Sequence, residues 1–452
     1  MRPCKRRLTG SRGSVLETNA EGSLNSATFR NGKDVEPMTS VDLGAAKSAP
    51  LTLDTLAEAA RGLPLEVRLA LQVCARLAKG QLTVRVPDGR SFVFKGAGVG
   101  PEATMVIHDH HFARRILRNG DLGVAEGYLR REWSSPELPA FLELFCVNAD
   151  EVNGYLMAKP LYRALQSFRH WMNRNTKTGS RRNIEAHYDL GNSFYAEWLD
   201  PSMTYSSALF EGTDGDLSAG QRRKYQALAQ AIELKAGEHV LEIGCGWGGF
   251  AEFAAKEVDA RVTGLTISPS QLEFARKRIF EAGLADKVEL KLQDYRDERG
   301  TYDRIASIEM FEAVGEEYWP AFFGQVRDRL RPGGAAGVQV ITIQDRFFET
   351  YKREVDFIQH YIFPGGMLPS PAKLQDLAQS SGLKIAAERI FGLDYAETLN
   401  HWRRRFLAAW PTIEPLGFDE RFKRLWEYYL SYCEAGFRSE NIDVRQIVFA
   451  RG

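Results

Sequence analysis

Cysteine is scarce and scattered in this chain: Cys4, Cys74, Cys146, Cys245 and Cys433, with no two in a CxxC pair. The odd count and the wide spacing exclude a disulfide framework and do not match the ligand spacing of a zinc site. Neither sign of charge is in excess. Lys plus Arg and Asp plus Glu both number 59, so the formal net charge is zero. That balance argues against a general nucleic-acid binder, and no nucleic-acid partner is expected. No apolar run approaches the ~18 residues of a membrane-spanning helix. The basic N-terminus (Arg2, Lys5, Arg6, Arg7) lacks the apolar core of a secretory signal. A cytoplasmic, reducing location follows. What is present is ordinary for a globular chain: 452 residues, 44% apolar and 26% charged, enough for two or three domains.

Residues 1–48 are rich in Ser, Gly, Asn and Thr without hydrophobic periodicity, which reads as a flexible tail. Residues 50–158 read as a small α+β unit. Leu65–Leu77 has helical spacing, and two strands, Leu82–Val86 and Ser91–Phe94, flank the turn residues Pro87-Asp88-Gly89. His108, Asp109, His110 and His111 are clustered, but adjacent residues rarely project to one point. A loop or helix start is the simpler reading, and no metal is expected. Residues 159–182 carry seven Lys/Arg and no carboxylate, interleaved with Tyr162, Leu165, Phe168, Trp171 and Met172. That pattern suits either a solvated linker or a segment lying on an anionic membrane. From about residue 217, helical and strand patterns alternate, the signature of a parallel α/β sheet. Strands are expected at His239–Ile243, Arg261–Leu265, Lys287–Leu292, Arg304–Ile308 and Gly337–Ile343, with Asp443–Ala450 adding at the sheet edge.

The strongest local signal is Val240-Leu241-Glu242-Ile243-Gly244-Cys245-Gly246-Trp247-Gly248-Gly249. A buried strand runs into a glycine-rich turn and then a helix, so the backbone can approach a ligand at the carboxyl edge of the sheet. The spacing is GxGxGG and not the dehydrogenase GxGxxG. The second strand ends in Gly264-Leu265-Thr266, with no carboxylate for an NAD ribose. An adenosylmethionine site is the better reading. Cys245, between glycines, reads as a small packing residue.

Further ordered motifs extend this signal. They are His187-Tyr188-Asp189-Leu190-Gly191-Asn192, Met203-Thr204-Tyr205-Ser206, Gly264-Leu265-Thr266 with Gln271, Phe311-Glu312-Ala313-Val314-Gly315, and Tyr361-Ile362-Phe363-Pro364-Gly365-Gly366. A run from Tyr428-Tyr429 through Cys433 to Phe449 completes them. With the glycine turn, they make the chain resemble, from about residue 60 onward, the cyclopropane-fatty-acyl-phospholipid synthases, which include the mycolic acid cyclopropane synthases. The resemblance implies a class I, Rossmann-like methyltransferase domain over 183–452, with a mostly parallel, doubly wound sheet. It also implies methyl transfer from S-adenosylmethionine to the cis double bond of an unsaturated phospholipid, reached peripherally at the inner membrane surface. Cofactor contacts fall on Tyr205 and Ser206 (methionine end), Gly244 and Gly246 (floor), Thr266 and Gln271 (ribose), and Asp294 and Tyr295 (adenine).

The family's base is a bound bicarbonate. By resemblance, Glu312, Tyr395 and the backbone at Ile341 would hold it. Two positions depart from the better-known bacterial pattern: Ser207 stands for a cysteine and Gln339 for a histidine. Both keep a hydrogen-bonding group. Cys433 matches a family cysteine, although the mechanism needs no thiol nucleophile. A cyclopropane is the expected product. A methylene- or methyl-branched chain, a soluble small-molecule substrate, and a dead lipid-binding protein are the alternatives. The N-terminal unit would serve either lipid docking or assembly of a homodimer.

Overall fold

The computed structural model describes residues 50–152 and 190–452. The expected tail, the basic segment 159–182 and His187 to Asp189 lie outside the described residues. A four-stranded sheet comes first: β1 (Lys79–Arg85), β2 (Ser91–Lys95), β3 (Gly98–Ile107) and β4 (Trp133–Ser134), in the order β2-β1-β3-β4. The turn at Pro87–Gly89 joins β1 and β2 as an antiparallel pair. β3 runs parallel to β1. Sequence reading passed over β3 because it opens on Gly98-Val99-Gly100-Pro101, and its buried alternation (Ala103, Met105, Ile107) starts only halfway along. The histidine cluster is a helix start, as the simpler reading has it. The helix His111–Leu129 begins there, with His111 Nδ1 2.7 Å from Asp109 and His108 Nε2 2.8 Å from Ser134 Oγ.

The second sheet has seven strands: β5 (His239–Ile243), β6 (Arg261–Thr266), β7 (Val288–Leu292), β8 (Tyr302–Ile308), β9 (Leu330–Ile343), β10 (Leu383–Ile390) and β11 (Ile442–Arg451). Their order is β10-β11-β9-β8-β5-β6-β7. β5 to β9 pair parallel, and β11 runs antiparallel to both β9 and β10. One expectation is corrected here. The final strand does not add at the edge but inserts between β9 and β10. β10 is the edge, and it escaped sequence reading because only Leu383 of its eight residues is buried.

Successive residues of a strand face opposite sides of the sheet, and two apolar clusters form accordingly. Leu241, Ile243 and Leu265 pack with the helices Trp319–Arg329 and Pro371–Ser380. Val240 and Val262 pack with the helices Leu217–Ala231, Gly249–Glu257 and Pro269–Glu281. Gly337 on β9 lets the first of these approach closely, since a Cβ there would lie 2.6 Å from Leu228 and 2.7 Å from Ile232. A third cluster is continuous from the small sheet (Leu82, Phe92, Trp133) into the helices Gly392–Ala408 and Glu420–Arg438 (Trp402, Trp426, Tyr428). Across that junction the Tyr128 hydroxyl donates to Glu427 at 2.8 Å, and the Arg424 guanidinium sits 3.9 Å from the Tyr128 ring centroid.

Candidate active site

The chain builds β5, β6 and β7 outward in one direction and then returns to place β8 on the other side of β5. This is the switch point where an open α/β sheet forms a crevice beyond its strand ends. The turn after β5 (Gly244 to Gly248) and the turn after β8 (Glu309 to Glu312) face each other there. Gly244 has φ +85°, and a Cβ on it would meet the Met310 side chain at 2.6 Å. The cavity above these turns measures about 3610 Å³, well beyond the ~300–1,000 Å³ of a typical small-molecule pocket. It has room for two ligands.

All eight expected cofactor residues line this cavity: Tyr205, Ser206, Gly244, Gly246, Thr266, Gln271, Asp294 and Tyr295. Tyr205 packs among Tyr195, Trp198 and Trp402, and its hydroxyl lies 2.6 Å from that of Tyr429. Thr266 Oγ1 donates to Gln271 Oε1 at 3.3 Å, which sets the two neutral side chains together at the end of β6. Asp294 accepts two bonds from the Arg296 guanidinium at 2.9 and 2.6 Å, and these hold its carboxyl below the usual range. The Ser206 hydroxyl accepts from Lys224 Nζ at 2.6 Å. In the cavity floor, buried Glu242 leaves Oε2 without a partner. That free atom is open to a ligand's hydrogen bond, and with neutral Thr266 and Gln271 for ribose hydroxyls and Asp294 for the adenine amino group the residues present fit S-adenosylmethionine.

The expected base site is built differently from the sequence reading. Three of the expected residues, Ser207, Gln339 and Tyr395, converge on a side chain of the protein, Glu309, a residue the sequence reading missed. Glu309 Oε1 accepts from the Ser207 backbone N–H at 2.9 Å and from Gln339 Nε2 at 2.7 Å. Its Oε2 accepts from the Tyr395 hydroxyl at 2.5 Å. Ser207 contributes its backbone and not its hydroxyl, which donates to the Ala208 carbonyl. Ser207 and Gln339 are both fully buried behind Glu309, which itself lines the cavity. Glu309 has φ +49°, a left-handed backbone that glycine adopts freely and that costs another residue roughly 1–2 kcal/mol. Strain of this kind is kept where the side chain is needed. Burial raises the Glu309 carboxyl, while Lys224 and the Tyr395, Ser207 and Gln339 donors oppose the rise.

Glu312 stands beside it. Its Oε1 accepts from the Ile341 backbone N–H at 2.6 Å, and its buried Oε2 has no partner. Burial, reinforced by the nearby Glu309 charge, pushes its carboxyl up to about 8. Burial thus raises both of these neighbouring carboxyls, and the Glu309 charge adds to the rise at Glu312. Below about pH 8 Glu312 carries its proton; above it, a buried negative charge appears there. The rate of the wild-type enzyme should therefore fall as pH rises through about 8, and a pH–rate profile of Glu312→Gln, which cannot ionise, should lack that alkaline limb. Cys433 lines the same cavity, and burial holds its thiol far above the ordinary range, so it remains protonated wall. Among the described residues, no group of three or more His, Cys, Asp or Glu side chains is arranged to hold a metal ion.

Parallel sheet, glycine turn at the switch point and a crevice lined by the residues expected to bind the cofactor together match a class I methyltransferase. Comparison with known proteins agrees. The model for the family described as mycolic acid cyclopropane synthetase matches residues 175–447. The tuberculostearic acid methyltransferase UfaA1 of Mycobacterium tuberculosis is 41% identical over 351 residues, covering 75% of this chain and 81% of that protein. The cyclopropane-fatty-acyl-phospholipid synthase of Escherichia coli is 36% identical over 352 residues, covering 77% and 88%. Mycolic acid cyclopropane synthase CmaA1, solved in complex with SAH and CTAB, aligns with TM-score 0.57 and 31% identity over 60% of this chain and 98% of that one. The chain belongs to the mycolic acid cyclopropane synthetase family, and it is an S-adenosylmethionine-dependent methyltransferase.

Proposed function

We propose that this enzyme methylates the cis double bond of an unsaturated acyl chain carried on a membrane phospholipid, with a cyclopropane as the product. The observation that carries this reading is the apolar arm of the cavity. Its lining runs from the glycine turn, Glu309 and Glu312 to Ile341, Phe363, Leu399 and Phe437, and includes Met105 and Ile107 of the small sheet and Phe112 of the helix that follows it. A polar small molecule would leave that arm unfilled.

When bound, S-adenosylmethionine supplies an electrophilic methyl group, which the π electrons of the alkene attack. The chain's residues then have two tasks. The aromatic walls at Tyr205 and Trp247 exclude water and hold the double bond in line. Glu309 takes a proton from the added methyl group, and the electron pair of that C–H bond closes the ring, removing the positive charge left on the acyl chain. In this reading the base is the enzyme's own carboxylate, because Tyr395 and the residues at the two departing positions, Ser207 and Gln339, are already directed at it. A second reading, a methyl- or methylene-branched product, is favoured by the similarity to the tuberculostearic acid methyltransferase. The site reaches its substrate from a cytoplasmic location, at the membrane surface. Among the described residues no helix is long and apolar enough to cross a membrane.

Expression in a bacterial host with unsaturated membrane lipids, followed by fatty-acid mass spectrometry, tests the proposal. Each monounsaturated chain should gain one CH2 unit, and chromatography should place the product with the cyclopropane standard. An unchanged lipid profile, with the protein folded and able to bind the cofactor, would contradict it.

A further inference from the structure

Lys224 lies on the helix Leu217–Ala231 and is fully buried, an unusual place for an ammonium group. Its Nζ donates to Ser206 Oγ and to Gln221 Oε1, both at 2.6 Å, and stands 4.7 Å from the Tyr225 ring centroid. All three are neutral, so they satisfy its protons without balancing its charge. A buried charge without a counter-charge is expensive. Burial pulls the Lys224 amine down to about 7, and three carboxyls oppose the fall: Glu309, Asp200 and Glu242, in decreasing order of influence. Asp200 is engaged with Ser202, accepting from its backbone N–H at 3.1 Å and its hydroxyl at 2.8 Å. Glu242 is pushed up to about 8 by burial and is uncharged at neutral pH. Glu309 has the largest influence of the three on the lysine.

Two relays of hydrogen bonds join the lysine to Glu309 without direct contact. In one, Lys224 fixes Ser206 Oγ while Gln221 Nε2 donates to the Ser206 carbonyl at 2.8 Å, and the next backbone N–H, that of Ser207, donates to Glu309. In the other, Gln446 Nε2 donates to the Lys224 carbonyl at 3.2 Å and to Gln339 Oε1 at 3.0 Å, and Gln339 Nε2 donates to Glu309. The lysine stands behind the base, away from the wall that meets substrate.

We propose that Lys224 is a positioning residue for the base: its buried ammonium keeps the Glu309 carboxylate ionised and aligned to accept the proton. The inference rests on the reading of Glu309 as the base. Its counterparts on the Glu309 side are Glu312 and Tyr395, which the alkaline limb and a phenol held protonated by burial account for separately.

The test compares full-length wild type, Lys224→Met, Lys224→Arg and Glu309→Gln, measuring kcat against pH on unsaturated phospholipid vesicles. Without the ammonium, Glu309 should hold its proton to higher pH. The acid limb of Lys224→Met should move up by at least about one pH unit, a ~10-fold loss of turnover on that limb, and Lys224→Arg should restore it. An acid limb that does not move, with Glu309→Gln inactive, overturns the lysine's role alone. A Glu309→Gln enzyme that retains turnover overturns the reading beneath it. If Lys224→Met is too unstable to assay, thermal unfolding decides. The double variant with Glu309→Gln should melt higher than Lys224→Met, because it no longer buries an unbalanced carboxylate; a melting temperature no higher would refute the pairing.

Discussion

Glu309→Gln should leave S-adenosylmethionine affinity within about twofold of wild type and cut turnover by at least ~100-fold, the scale of losing a positioned acid–base group. The substitution is isosteric, and the amide oxygen can still accept from the Ser207 N–H, so the shape of the site is retained. What disappears is a group able to take up a proton. Calorimetric titration with the cofactor and a turnover assay on the same preparation separate the two quantities. Substantial residual turnover would move the base elsewhere, with Glu312 the nearest carboxyl.

Gly244→Val should fail differently, losing cofactor binding and turnover together. The backbone there is left-handed, and a Cβ would press on Met310 at 2.6 and 2.8 Å. The conformational cost alone is roughly 1–2 kcal/mol, and each ~1.4 kcal/mol is tenfold in affinity. The clash adds to it, displacing the turn that carries Glu309 and Glu312. A loss of cofactor affinity of at least ~10-fold is expected in the same calorimetric titration. Unchanged affinity would detach the glycine turn from the cofactor site.

The two variants probe a site of which the sequence revealed the parts more readily than their arrangement. The five parallel strands were legible because each is an apolar run bounded by turn residues, and the glycine turn because its composition is rare outside a ligand-binding loop. β10 was not legible, since an edge strand exposed on both faces has no alternation to read. Ser207, Gln339 and Tyr395 could be named from ordered motifs, but their common target could not. Glu309 carried one available signal: it is the first residue beyond β8, at the sheet's switch point, three positions before a glutamate already singled out. What marks it most clearly, three donors meeting on one carboxylate, exists only in three dimensions. Lys224 gave no signal at all. It adjoins the apolar face of Tyr225, Leu228 and Ile232, where a lysine ordinarily reaches to solvent, and only the packing of its helix over Gly337 takes it inside.

The central claim is that the enzyme carries its own proton acceptor, and the most direct measurement is turnover in buffer stripped of carbon dioxide, with and without added bicarbonate. Wild-type turnover should be the same in both. Glu309→Gly, which removes the carboxylate and leaves the Ser207, Gln339 and Tyr395 donors facing the vacated space, should be nearly inactive without bicarbonate and should recover as it is added. A wild-type rate that rises with bicarbonate would show that the proton leaves to a bound anion, and would contradict the role given to Glu309.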